Sequence, residues 1–214
     1  MNRENAKIMA RALIKSGIEN EAFHIGVMAT IAKESGGFTL QRERSYRNTD
    51  NSRIRKNFSR TRKLSDAELN TLKRDEVAFF NFVYNGKLGN RKGTYDGYNF
   101  RGAGWPQVTG RGNFKRVCPD GIALDELPWC LQNSPEITAQ AAIKFFKLGL
   151  IRLAVLRARY GALKTHSIGI LWACNIAAGL GHGNKSNVMM RAVANASKYL
   201  GDCIQIYNEV KGKI

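Results

Sequence analysis

No apolar run in this chain approaches the roughly 18 to 20 residues that a helical membrane span requires, so no integral membrane segment is expected. The first residues, Met1-Asn2-Arg3-Glu4-Asn5, are charged and lead straight into an amphipathic pattern at Ile8, Met9, Ala12 and Leu13. An uncharged apolar stretch and a small-residue cleavage site are both missing, so no secretory signal is read. The expected location is the cytoplasm, or export by another route. The four cysteines, Cys118, Cys130, Cys174 and Cys203, lack CxxC pairing and a histidine at zinc-ligand spacing. They read as reduced, mostly buried thiols rather than as a structural zinc site. Acidic residues are scarce, 17 against 34 basic ones, for a net charge of +17. That imbalance predicts attraction to polyanions, but it does not choose among nucleic acid, anionic lipid and anionic cell-wall polymers.

What is present is a globular chain of 214 residues, 43% hydrophobic, long enough to bury a sizeable core and expected to be a single domain over 1–214. Helical spacing predicts a first helix over 4–15, broken at Ser16-Gly17, and a buried one over about 20–34. Basic residues crowd the stretch 39–64 (Arg42, Arg44, Arg47, Arg53, Arg55, Lys56, Arg60, Arg62, Lys63) while apolar ones are few. It reads as an exposed, mobile basic segment over the surface. Ser65 and Glu68 form a capping box for a helix that stops near Asn85-Gly86. Ser134 as N-cap and Pro135 at the first helical position start another. Further helices are read over 150–160, 168–178 (central and buried), 188–200 and 204–210. The fold class is mainly α, with strand signal confined to the loop before Trp105.

Two stretches carry chemistry. In Lys33-Glu34-Ser35-Gly36-Gly37-Phe38, a carboxylate closes an apolar helix that the glycines end. The macrodipole and apolar neighbours there disfavour its charged form, as a general acid needs. Lys33 is not expected to face Glu34, because residues one apart on a helix point away from each other. The plainer alternative is a solvated Glu at a helix end. Nine residues on, Glu43 lies between Arg42 and Arg44, whose charges are expected to keep it ionised. Two carboxyl groups with environments that differ in this way are the mark of an acid–base pair. Glu68 and Glu76 compete for a role, but the first caps a helix and the second reads as a surface charge.

The second stretch, 96–114, threads aromatics and amides through glycines. Gln107 stands where a third fingerprint glycine would be and there is no Walker lysine, which excludes nucleotide-binding loops. Aromatic faces with Asn99, Gln107, Thr109 and Asn113 suit a sugar polymer, and would also suit stacking on single-stranded bases.

In order along the chain, Glu34-Ser35-Gly36-Gly37-Phe38, Gln41-Arg42-Glu43, Phe82-Val83-Tyr84-Asn85-Gly86-Lys87-Leu88-Gly89-Asn90, Asp96-Gly97-Tyr98-Asn99-Phe100-Arg101-Gly102 and Gln107-Val108-Thr109-Gly110 resemble the glycoside hydrolase family 19 chitinases. The similarity is strongest to their bacteriophage endolysin branch and spans roughly residues 25 to 114. The resemblance implies a lysozyme-like, mainly helical fold with a small β-element beside the cleft. It implies Glu34 as acid, Glu43 as the second carboxylate and Thr109 as the hydroxyl that positions the attacking water. Tyr98, Asn99, Gln107 and Asn113 are then substrate-binding, and Asn175 stands for the family's C-terminal asparagine. An inverting mechanism with carboxyls roughly 6.5–9.5 Å apart is implied, without cofactor or metal. The implied partner is peptidoglycan, cut by a monomer that waits in the host cytoplasm for release or travels with a virion. Chitin hydrolysis, a non-catalytic wall-binding or tail protein, and nucleic-acid binding are the competing expectations; no recognised nucleic-acid motif supports the last. The chain departs from the family at Ala103-Gly104-Trp105-Pro106, which loses an arginine and gains a ring, and at Cys174-Asn175-Ile176-Ala177-Ala178-Gly179.

Overall fold

Asn2 opens the first helix by accepting a hydrogen bond from the Asn5 N–H at 3.1 Å. Helix α1 (Arg3–Ile14) buries Ala6, Met9, Ala10 and Leu13 at helical spacing. Helix α2 (Glu21–Glu34) is the most apolar of the early elements, with Val27, Met28, Ala29, Ile31 and Ala32 all buried. The computed structural model describes residues 1–19, 21–160 and 194–214. Within these the chain is mainly helical. The expected helix over 168–178, the residues Cys174 and Asn175, and residues 188–193 of the expected helix over 188–200 lie outside the described residues.

After the connection 35–50 come α3 (Asn51–Asn57), a 3-10 turn (Ser59–Lys63), α4 (Asp66–Leu72), α5 (Glu76–Tyr84), α6 (Asp96–Asn99), α7 (Arg111–Val117), α8 (Leu127–Asn133), α9 (Pro135–Tyr160) and α10 (Leu200–Lys211). Helix α1 packs against α9 and α10, and α10 also packs on α2, so the two ends of the chain share one core. A second cluster lies under the glycine-rich loop, around Phe100, Val108, Phe114, Leu127 and Leu131. A third gathers Ile54, Phe58, Leu69, Phe79, Phe80 and Val83. Among the described residues, no helix is long and apolar enough to cross a membrane.

Three expectations change. The segment 39–64 is not a plain surface loop. Ile54 and Phe58, four apart and so on one helix face, enter the third cluster and fold the segment into α3 and the 3-10 turn. Several of its arginines bind carbonyls instead of facing solvent: Arg60 donates to the Phe82 and Asn85 oxygens at 2.9 and 2.6 Å, and Arg55 to the Leu64 oxygen at 2.9 Å. The single helix expected from Ser65 to Asn85 is two. Its capping box forms, but Asp75 starts α5 afresh by accepting from the Ala78 N–H at 3.0 Å. Conversely, the helices expected over 135–146 and 150–160 are one, running through Gly149 as α9.

Candidate active site

Helix α2 ends as its glycines dictate. Gly36 and Gly37 take φ of 62° and 91°, the left-handed region where glycine has no Cβ penalty. The Gly37 N–H donates back to the Ala32 carbonyl at 2.7 Å. Phe38 follows with φ 66°, a conformation costing a bulky residue about 1–3 kcal/mol. Its ring is fully buried, edge-on to Trp105 at 5.4 Å, and burial of a Phe contributes about 1.5–3 kcal/mol. The Trp105 indole N–H donates to the Phe38 carbonyl at 3.2 Å. The ring that departs from the family pattern is thus a strut under the helix end, not a surface for ligand.

From this turn the chain runs extended through Gln41 to Glu43. Arg42 bridges Ala103, which bridges Val108 in turn. Among the described residues these two isolated bridges are all of the β-element, and they bring Glu43 against Gly102: the Glu43 N–H donates to the Gly102 carbonyl at 2.6 Å, and the Gly102 N–H returns a bond to Glu43 Oε2 at 3.1 Å. A Cβ at position 102 would stand 2.8 Å from Gln107 Oε1 and 3.3 Å from Glu43 Cβ. Only glycine lets the backbone donor come this close. Two phenols complete the shell. Tyr46 donates to Glu43 Oε1 at 3.0 Å, and Tyr84 lies 3.0 and 3.1 Å from the two oxygens. Both rings are locked in the third cluster, Tyr46 stacked on Phe79 at 5.2 Å and Tyr84 on Phe80 at 6.0 Å.

Burial raises the Glu43 carboxyl above its ordinary value, against the opposing pull of the Gly102 N–H, Tyr84, Tyr46 and the Arg101 charge. Burial, and then the facing Glu43 charge, push both phenols up as well, so they remain donors. Arg42 and Arg44 do not hold Glu43 as expected. Successive side chains of an extended chain point to opposite sides, and Arg42 donates instead to the Asn99 carbonyl at 2.8 Å. Its own guanidinium is held below its usual value by burial and by Arg101. The cation that acts on Glu43 is Arg101, buried between the Tyr98 ring (3.9 Å) and the Phe80 ring (5.4 Å), with Nε on the Glu43 carbonyl at 3.2 Å and Nη2 on Glu76 at 3.2 Å.

Glu34 is placed otherwise than expected. It is exposed, and Lys33 Nζ pairs with its Oε1 at 2.5 Å. Long side chains in the last turn of a helix reach around to each other, which the rule for helix interiors does not foresee. Glu34 touches the site through its backbone, accepting from Gln41 Nε2 at 3.1 Å.

An open groove of about 370 Å³ runs past Glu43, lined by Leu40 to Ser45, Glu76, Arg101 and Gln132. Gln107 meets Glu43 across Gly102, but its amide N–H bonds the Gly104 carbonyl at 2.9 Å. The Thr109 hydroxyl donates to the Gln107 carbonyl at 3.0 Å and Asn113 to the Thr109 carbonyl at 2.8 Å, so both stabilise their own loop. Asn99 is exposed, and Tyr98 lies under Arg101 and, at 5.7 Å, Arg42. Asn85, Asn90 and Asp96 of the motifs are fasteners. Asp96, almost fully buried, binds Arg91 and Arg111, and despite its burial these bonds hold it below the usual carboxylate range. Sequence reading missed Tyr46, Tyr84 and Arg101. Tyr84 and Arg101 stood inside quoted motifs, and Tyr46 lies three residues after Glu43. No family model matches the chain, and no curated protein matches it, so the family resemblance rests on the motif residues alone.

Proposed function

We propose that the chain is a glycoside hydrolase of lysozyme-like type that cuts β-1,4 bonds between the amino sugars of peptidoglycan. The observation that carries this is Glu43: a desolvated carboxylate with three neutral donors and one arginine around it, opening on a polar groove. Its oxygens accept every bond they make, which fits the ionised form, while burial raises its basicity toward that of an efficient general base. Glu43 would take a proton from a water on the far side of the sugar from the leaving group, and Glu34 would protonate the leaving oxygen, as the resemblance implies. Thr109 gives its hydrogen to the Gln107 carbonyl, which leaves lone pairs to receive that water. The cationic surface, including a second recess of about 470 Å³ at Ser52, Arg53, Lys56 and Asn57, favours an anionic wall over neutral chitin.

The test uses purified bacterial walls and colloidal chitin, with reducing sugar as readout. Clearing of walls by the wild type and its loss in Glu43→Gln is the expected result. Sugar released from chitin alone would make the protein a chitinase. Binding to walls without new reducing ends would make it a wall-binding module.

A further inference from the structure

Trp129 is 66% exposed on α8, a seven-residue helix whose Leu127 and Leu131 are fully buried. A lone exposed apolar side chain needs no explanation, but this one is placed with respect to the groove. Gln132, three residues on, lines the same groove as Glu43. Residues three apart share a helix face, about 5–6 Å between their Cβ atoms. The helix is also fixed to the loop that builds the site. Leu131 packs so tightly on Gly104 that a Cβ there would lie 3.3 Å from it, and Thr138 donates to the Leu131 carbonyl at 3.0 Å. Trp129 is therefore an exposed aromatic side chain on the same helix face as Gln132 of the groove lining, carried by a helix that is fixed to the Gly104 loop.

We propose that Trp129 is a stacking platform for one pyranose ring of a β-1,4-linked amino-sugar chain, a binding subsite outside the sugars flanking the reacting bond. This rests on the glycosidase reading above. A pyranose presents C–H groups on its face and polar substituents at its edge. The negative face of an indole attracts the former, while the Gln132 amide offers a donor and an acceptor to the latter.

The experiment measures binding of two soluble glycan fragments released from cell walls, a disaccharide and a hexasaccharide. It uses the full chain carrying Glu43→Gln, which stops turnover, and reads calorimetry and tryptophan emission. Adding Trp129→Ala should weaken hexasaccharide binding by about tenfold, the scale of one lost ring contact, and leave disaccharide binding unchanged. Trp129→Phe should retain most of the affinity, and the ligand-induced change in emission should disappear in both variants. Equal hexasaccharide affinity with and without Trp129 would overturn the subsite and leave the glycosidase reading standing. Failure of either fragment to bind when Trp129 is intact would overturn that reading and the subsite together.

Discussion

Glu34 and Glu43 lie nine residues apart and have opposite surroundings. Glu34 ends a buried helix, yet its carboxylate is in solvent and paired with Lys33. Glu43 has an arginine on each side in sequence, yet its carboxylate is enclosed by Tyr46, Tyr84 and Gly102 and touches neither arginine. The apolar character of an element does not pass to its last residue, and charge adjacent in sequence counts only when the backbone turns it inward. In an extended segment it does not. The surroundings of Glu43 come from residues far along the chain, so it is the carboxylate on which burial acts.

The largest expected effect separates the two. Glu43→Gln should reduce turnover by about 10²–10⁴, the usual cost of losing a general base. Ionisation of Glu43 disfavours the folded state, since its folded value is raised by burial. The group binds more protons folded than unfolded, so the stability it contributes is present below the ordinary carboxylate value and is lost as pH rises through the raised one. Thermal unfolding at neutral pH should then show Glu43→Gln at least as stable as wild type. Glu34→Gln should lose activity on the same scale if it is the acid. Retained activity in that variant would move the acid to Glu76, which shares the groove with Glu43.

Gly102→Ala comes next. Its Cβ would collide with Gln107 and crowd Glu43, which should cost about 1–3 kcal/mol in stability, as overpacking does. The donor should move away from Glu43, and kcat should fall with little change in KM. A variant as active as wild type would remove Gly102 from the site. Smaller again is the effect of salt. Screening shortens the electrostatic range to about 8 Å at 0.15 M ionic strength. Activity on intact walls should fall as salt rises, while turnover of a short neutral oligosaccharide should barely change. Equal sensitivity of both would count against attraction through Arg53 and Lys56.

Local signals in the sequence were legible where the physics is local: the Ser65–Glu68 capping box, Ser134-Pro135 and the Gly36-Gly37 stop. The break at Asp75 was harder to read, because apolar spacing continues across it and only the cap interrupts it. Helix α8 gave no periodic signal in seven residues and was not anticipated. In the candidate site, the sequence singled out Glu43 but not the neighbours that enclose it. Tyr84 reaches it from 41 residues away and Gly102 from 59, distances at which residue type says nothing about contact.

The claim that two phenols and burial tune Glu43 as a base is tested most directly by the pH dependence of kcat/KM on a soluble oligosaccharide. The comparison is between wild type and Tyr84→Phe. Hydrogen bonds to a charged form lower its pKa, so deleting the Tyr84 donor should raise Glu43 further. The account predicts an acidic limb above the usual carboxylate range in the wild type, and a limb displaced to still higher pH in Tyr84→Phe. A limb at the ordinary carboxylate position, unmoved by the substitution, would contradict it.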